Sequence, residues 1–275
     1  MPTARQLQRA AKRELYKRNF ALFARDQLKI KPIESGAVIP LVLNDGQMML
    51  DVKVQKQLST LGYVRMVALK GRQAGFSTYW QGRMYHRATL FSNFNALLVA
   101  CDPDSTARIF DMCRLMYDEM DPWVKPMRRY SSKREMVFEN PRDDARSENP
   151  GLRSRLDFQA STKELAGTGT TRQGLHLSEV SKFHPDSVRY LKSSLLPTIH
   201  RVPGTFLVEE STAYIGGDHF REMCETARSK RSDYEFVFVP WWLDAKNSVP
   251  VPAHHVIKLD AEERRLHKLA QRGQP

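Results

Sequence analysis

An alternation limits most what this chain can fold into. Four short apolar runs, at 63–69, 96–101, 175–177 and 205–208, have the length of strands, and helix-like stretches at 76–90, 103–120 and 216–228 follow the first, second and fourth of them. A further helical stretch, 185–196, follows the third run after a short loop. Asp102 and Pro103 make an N-cap and first-turn pair, and Ile109, Phe110, Cys113, Met116 and Met120 then lie on one apolar face. Short apolar strands alternating with helices in this way argue for a mainly parallel sheet covered on both faces. The expected fold class is α/β.

Around this centre the chain is less regular. Residues 4–29 set Leu7, Ala10, Ala11, Leu15, Leu22 and Phe23 among Arg5, Arg9, Lys12, Arg13, Lys17 and Arg18, which reads as a basic amphipathic helix that lies either on a partner or on the domain. From 31 to 61, Pro32, Gly36, Pro40 and the turn-like Asn44-Asp45-Gly46 are expected to break any long element. The stretches 134–138 and 156–160 flank a polar segment and suggest an antiparallel hairpin at the sheet edge. After Trp242, Pro250 and Pro252 lead into a charged helix at 261–271. The expected division is an N-terminal basic helical arm over 1–40, a main domain over 41–245, and a linker with a C-terminal helix over 246–275.

Hydrophobic residues make up 41% and charged residues 27%, so a sizeable core is available and disorder is excluded. Lys and Arg exceed Asp and Glu by 43 to 31, a net charge of +12 that favours a polyanionic partner. No apolar run approaches the ~18 residues that a membrane span needs. The basic N-terminus lacks the apolar core of a signal peptide, so a cytoplasmic protein is expected. Cys101, Cys113 and Cys224 have neither an even count nor metal-ligand spacing and read as reduced thiols.

In an open α/β sheet, ligands gather beyond the carboxyl ends of the strands. The first run ends in Lys70-Gly71-Arg72-Gln73-Ala74-Gly75-Phe76-Ser77-Thr78. Gly71 and Gly75 are separated by three residues where a standard phosphate loop has four, and Phe76 stands in the place of its lysine. Small residues still let backbone N–H groups wrap a phosphate, the following helix offers its positive end, and Ser77 supplies a hydroxyl for Mg²⁺. Lys70 or Arg72 would provide the cation from the strand side. An ordinary glycine turn between strand and helix is the competing reading.

The third run ends at Ser178-Glu179. A phosphate-loop ATPase needs an acidic residue near its metal and often a second that orients water. Glu179 suits the second role, whereas the first slot holds Ser178, which reaches the metal only by its hydroxyl or through water; a solvated or capping glutamate is the alternative. The fourth run also ends in polar side chains, Glu209-Glu210-Ser211-Thr212-Ala213.

The segments 70–78, 176–179 and 210–213 together resemble the ATPase domain of tailed-phage large terminase subunits, motors that pump DNA into preformed capsids. That family has deviant phosphate loops of the types K-x-x-R-x-G-x-S and x-R-Q-x-G-K-[ST], and this loop is similar to the first with the Arg-Gln of the second. The resemblance runs from about Asn44 to about Pro252. Val42-Leu43-Asn44-Asp45-Gly46-Gln47 looks like the adenine-side segment, and Phe238-Val239-Pro240-Trp241-Trp242 like the closing strand. It implies a P-loop NTPase of the additional-strand type, with ATP and Mg²⁺ as substrate and cofactor. Carried over, Lys70 and Arg72 contact the β/γ-phosphates, Gly71, Gln73, Ala74, Gly75, Phe76, Ser77 and Thr78 form the loop, Ser77 holds Mg²⁺ and Glu179 orients water. Gln47 lies near the adenine, and Ser211, Thr212 and Ala213 couple nucleotide state to motion. The departure is Ser178, which stands where most relatives carry the Walker B aspartate.

The partners implied by the resemblance are double-stranded DNA, the portal protein, the terminase small subunit and copies of the chain in a docked ring, with a monomer in isolation. The family's C-terminal nuclease domain would begin where this sequence stops, so no nuclease activity is expected here, that part being either excised or encoded separately. Basic clusters at Arg5–Arg18, at Lys125, Arg128, Arg129, Lys133 and Arg134, and at Arg228, Lys230 and Arg231 suit sequence-indifferent phosphate contacts or simply solvated faces. Arg128, Arg129, Arg146 and Arg153 are candidates for an arginine donated to a neighbouring subunit's site. His184 and His219 read as helix-start or core residues, because no second ligand stands at metal spacing. Two rival functions remain open: a helicase-like DNA translocase, and a nucleotide-binding assembly module with little hydrolysis.

Overall fold

The computed structural model describes residues 1–32, 36–161, 171–216, 218–243, 250, 252, 254 and 258–271. Among them, an eight-stranded sheet has the order β10-β3-β9-β8-β4-β7-β6-β5. Its central strands are β3 (Val64–Lys70), β4 (Asn95–Ala100), β8 (Gly174–Ser178) and β9 (Phe206–Ser211), all mutually parallel where they pair. Nearly every residue of these strands is buried, which is why each carries a short apolar run in the sequence, interrupted by Arg65 in β3 and His176 in β8. Alternate residues serve opposite faces. Ala96, Leu98 and Ala100 of β4 belong to one core cluster, and Leu97 and Val99 to the other.

β10 (Glu235–Val239) adds in parallel to the outer side of β3, and β7 (Gly151–Ala160) adds in parallel to β4. β6 (Glu135–Glu139) and the short β5 (Tyr130–Ser132) continue the edge antiparallel. The hairpin expected from the polar 139–155 segment is therefore present, and its second arm is an integral sheet strand. α4 (Phe76–Leu90) and α5 (Pro103–Asp118) follow β3 and β4, and α7 (Asp218–Arg228) follows β9. α6 (Pro185–Tyr190) is shorter than the expected 185–196 helix: it runs into a wider turn at Leu191–Leu195 and a 3-10 turn at Leu196–Thr198, where Pro197 removes a backbone donor. α8 (Ala261–Gln271) is a separate, solvent-facing helix among the described residues.

Two expectations are corrected. The basic segment 4–29 is not one helix but two, α1 (Ala4–Arg18) and α2 (Phe20–Gln27), because Asn19 leaves helical geometry and its side chain caps α2 by accepting from the Leu22 N–H at 2.9 Å. Tyr16, Phe20, Phe23, Ala24 and Leu28 are buried in the same core as α4, so of the two positions open to this segment it takes the one on the domain. The second correction concerns 31–61. Asn44-Asp45-Gly46 does not break the chain but starts α3 (Asp45–Thr60). Asn44 Oδ1 accepts from the Gln47 N–H at 2.8 Å while Gln47 Oε1 accepts from the Asn44 N–H at 3.0 Å, a reciprocal capping box. The short β1 (Lys29–Ile30) and β2 (Ile39–Pro40) pair antiparallel beside this entry.

Candidate nucleotide-binding site

The segment 71–75 turns sharply between β3 and α4. Gln73 and Gly75 adopt positive φ, 57° and 73°, and Gly75 N-caps α4 without a side chain. Gln47 pins this turn from α3: its Nε2 donates to the Gly75 carbonyl at 2.7 Å. A Cβ on Gly75 would stand only 2.7 Å from that nitrogen, and one on Gly71 only 2.9 Å from Trp241 Cβ, so both glycines are required by close approach. Phe76, in the place of the usual lysine, is 1% exposed and packs into the apolar core. Its side chain thus contributes no charge, but the first N–H groups of α4 at Phe76, Ser77 and Thr78 lack helical acceptors, as at any helix start, and line the bend.

A buried cation stands on the strand side of the bend. Lys70 is the last residue of β3 and only 8% exposed. Its Nζ lies 2.8 Å from Glu179 Oε1 and 3.1 Å from Glu210 Oε2. Burial pulls its pKa down, but the two carboxylates outweigh burial and push it up to about 12. Glu210 is fully buried at 0% exposure. Burial alone would raise its pKa, and the Lys70 charge, followed by His176 and Ser77, instead holds the carboxyl well below the usual carboxylate range. Ser77 and Ser178 both donate to Glu210 Oε1, each at 2.7 Å.

Glu179 follows β8 with a left-handed backbone, φ 60°, and its N–H donates to the Glu210 carbonyl at 2.8 Å. A non-glycine residue held there carries local strain, of a kind that gathers at functional sites. Its second oxygen is 3.1 Å from Lys182 Nζ and accepts from Thr212 Oγ1 at 3.4 Å. Ser211 is buried, and its hydroxyl is 2.6 Å from that of Ser181, two residues beyond Glu179. Thus Lys70, Ser77, Ser178, Glu179, Ser211 and Thr212 converge, whereas Ala213 is exposed beyond them. Arg72 and Gln73 lie exposed at the tip of the bend.

A cavity of about 820 Å³ opens beside the bend, lined by Gln73 to Thr78, by Asn44 and Gln47, by the β1–β2 region and by α5 residues such as Arg108 and Met112. It brings Gln47 and the loop to one wall. Glu210, at the polar end of β9, joins this group only because β8 and β9 are neighbours, which sets it opposite Ser178; the residue pattern of the strand alone does not reveal it.

The arginine candidates divide. Arg128 lies over the Tyr117 ring at 3.9 Å and near Asp118, while Arg129 and Arg146 pair with Glu139 and Asp143 around the hairpin. Arg153 is exposed with φ 53°. His184 caps α6 through Nδ1, and His219 is buried 3.2 Å from Glu209. The first two basic clusters meet on one surface, because Arg9 lies over the Trp123 ring and Arg13 donates to the Val124 carbonyl at 3.4 Å, next to Lys125 and Arg128. No described helix is long and apolar enough to cross a membrane.

Compared as a sequence, the chain matches no protein-family model and no curated protein. Compared as a fold, it is similar to solved structures. The bacteriophage HK97 large terminase aligns over 93% of this chain with a TM-score of 0.61 and 12% identity; the chain spans about half, 52%, of that protein. The ATPase domain of the Thermus phage P74-26 large terminase aligns over 75% of this chain and 88% of its own length, with a TM-score of 0.51 and 14% identity. A mutant of the same domain gives 0.52 and 16% over 72% of this chain and 82% of its own length. With its mixed eight-stranded sheet between helical layers, the chain has the fold of phage large terminase ATPase domains.

Proposed function

We propose that this chain is an ATPase motor domain that hydrolyses ATP with Mg²⁺ to move double-stranded DNA into a procapsid. The observation that carries the reading is the convergence of Lys70 and Glu179, at the carboxyl ends of β3 and β8, with Ser77 in the first turn of α4, around the Glu210 carboxylate of the strand between them and beside the bend that enters α4. Lys70, entering from β3, would neutralise the β/γ-phosphates, assisted by Arg72 from the loop tip, while the N–H groups of 76–78 would hold phosphate oxygens. Glu179 would orient the attacking water and draw its proton. Gln47 would set the wall on which the adenine rests. Thr212, in contact with Glu179, would sense whether that carboxylate is engaged.

The residues fit the magnesium that such chemistry uses. Ser77 offers a hydroxyl directly beneath the phosphate bend, Ser178 stands 3.3 Å from it, and oxygen donors are what a hard cation takes. Bound there, the ion would offset charge on the phosphoryl oxygens. The continuous basic surface of α1 and the 123–128 segment suits sequence-indifferent contact with a DNA backbone. A portal protein, a small terminase subunit and further copies of the chain complete the reading as partners in the host cytoplasm, with hydrolysis but no nuclease activity in this chain.

Phosphate release stimulated by DNA, measured with neighbouring subunits present, tests this. Lys70→Ala is expected to abolish nucleotide binding, and Glu179→Ala to bind without turnover. Equal rates in the parent and both variants would reject the assignment. Strand separation independent of a portal would instead favour a helicase-like translocase.

A further inference from the structure

A phosphate-loop ATPase needs a carboxylate facing its metal, and the position that usually supplies it is occupied here by the hydroxyl of Ser178. Strands β8 and β9 are parallel neighbours in which Ser178 and Glu210 are register partners. The Glu210 side chain lies at the same point: its Oε1 accepts from Ser178 Oγ and from Ser77 Oγ, both at 2.7 Å. Ser77 is the loop hydroxyl beneath the phosphate bend, so the carboxylate already touches the group with which it would share a metal. Glu210 has no exposed surface, although its neighbour Glu209 on the same strand points to the opposite face, beside His219. A fully buried carboxylate is costly unless it is used or paired; Lys70 pairs with its Oε2 side at 3.1 Å, and on the Oε1 side, beside the two serine hydroxyls, His176 Nε2 stands at 3.6 Å.

We propose that Glu210 is the carboxylate that anchors the catalytic magnesium in this chain, reaching from the adjacent strand into the place Ser178 leaves open. The inference rests on the nucleotide site proposed above and extends it. Serine at 178 is then part of the arrangement: an aspartate there would face Glu210 across a hydrogen-bond distance, and two carboxylates so close resist joint ionisation. Among the described residues, no group of three or more His, Cys, Asp or Glu forms a metal cage. That suits magnesium, which takes one or two carboxylates and completes its shell with water and substrate phosphate.

Binding of a fluorescent ATP analogue to the full chain, titrated with Mg²⁺ and repeated in EDTA, separates this role from simple neutralisation of Lys70. Glu210→Gln is expected to raise the Mg²⁺ concentration for half-maximal binding on the order of tenfold or more, while affinity in EDTA holds or rises. Adding Ser178→Asp to Glu210→Gln should restore the metal dependence, as a carboxylate returns to the same point from the other strand. A purely structural carboxylate would instead weaken binding equally with and without metal, with no rescue, and that result overturns the proposal. Anomalous scattering from Mn²⁺ bound with the analogue to the unaltered chain reads the same question independently of variant folding: the ion beside Ser77 and Glu210 supports the proposal, and the ion away from Glu210 overturns it. If the unaltered chain binds nucleotide with Mg²⁺ but Glu210→Gln does so equally well, only this inference fails. If the unaltered chain binds no nucleotide, the nucleotide site and the inference fail together.

Discussion

The Lys70 ammonium stands 2.8 Å from Glu179 Oε1, so the cation assigned to the phosphates and the carboxylate assigned to water form one ion pair. Phosphate must compete with that carboxylate for Lys70. Glu179→Gln keeps the shape and removes the competing charge, so nucleotide affinity should rise by roughly three- to tenfold, the scale of one net hydrogen bond. Turnover should fall by two orders of magnitude or more, the scale of a lost general base. Parallel nucleotide binding and phosphate-release measurements check both halves, and a variant that binds more weakly would contradict the ion pair as the competing element.

Gln47 performs two tasks with one amide: its oxygen caps α3 and its nitrogen holds the Gly75 carbonyl. Gln47→Glu keeps the capping acceptor but places an anionic oxygen against that carbonyl. Gln47→Ala loses both contacts and should destabilise the fold by about 1–2 kcal/mol. Both variants should bind nucleotide more weakly, with the thermal midpoint falling more in the alanine variant. Comparing midpoints with affinities separates the cap from the clamp.

His86 links α4 to the N-terminal helices. It is fully buried, its Nε2 donates to the Tyr16 carbonyl at 2.8 Å, and its ring meets Phe20, Phe23 and Phe91 edge-on. Burial, then the charge of Arg83, pulls its pKa from 6.5 down to about 3. The unfolded chain therefore binds a proton that the folded chain refuses, and this contribution to stability is present above about 6.5 and is lost as pH falls toward about 3. Acid should loosen α1 and α2 first, seen as early proteolysis or amide exchange of residues 4–27. His86→Gln, which can still donate to Tyr16, should flatten the pH dependence over that window; an unchanged profile would show that other groups govern it.

Arg5 and Lys125 lie on the basic surface formed where α1 meets the 123–128 segment. Replacing both with alanine should weaken DNA binding for all sequences alike and lower the slope of log affinity against log salt by about one unit per charge removed. Filter binding across a salt series reads this directly, and a sequence-dependent loss would point to base contacts instead.

Much of the frame was legible because parallel strands buried on both faces leave short, mostly apolar runs, and α4 begins and ends where its pattern predicted, at Phe76 and Leu90. The start of α3 was not, since asparagine followed by aspartate and glycine suits a tight turn and a helix cap for the same reason: a short side chain that satisfies nearby N–H groups. The break at Asn19 is the same ambiguity on a smaller scale. In the candidate site, the grouping of Lys70, Ser77 and Glu179 was legible from loop chemistry and strand ends. The approach of Glu210 was not, because its position depends on β9 lying between β3 and β8, a matter of strand order that local sequence does not encode. Phe76 could be counted in the loop by position, but only the core explains why its side chain turns away.

On the proposed function, the bend from Gly71 to Thr78 holds a triphosphate with its cation supplied by Lys70. A crystal structure of the chain with a non-hydrolysable ATP analogue and Mg²⁺ tests it most directly. The β- and γ-phosphates are expected against the N–H groups of residues 75–78, with Lys70 turned from Glu179 toward them. An analogue bound elsewhere, with the bend empty and the Lys70 pair intact, would rule out a nucleotide site at this bend.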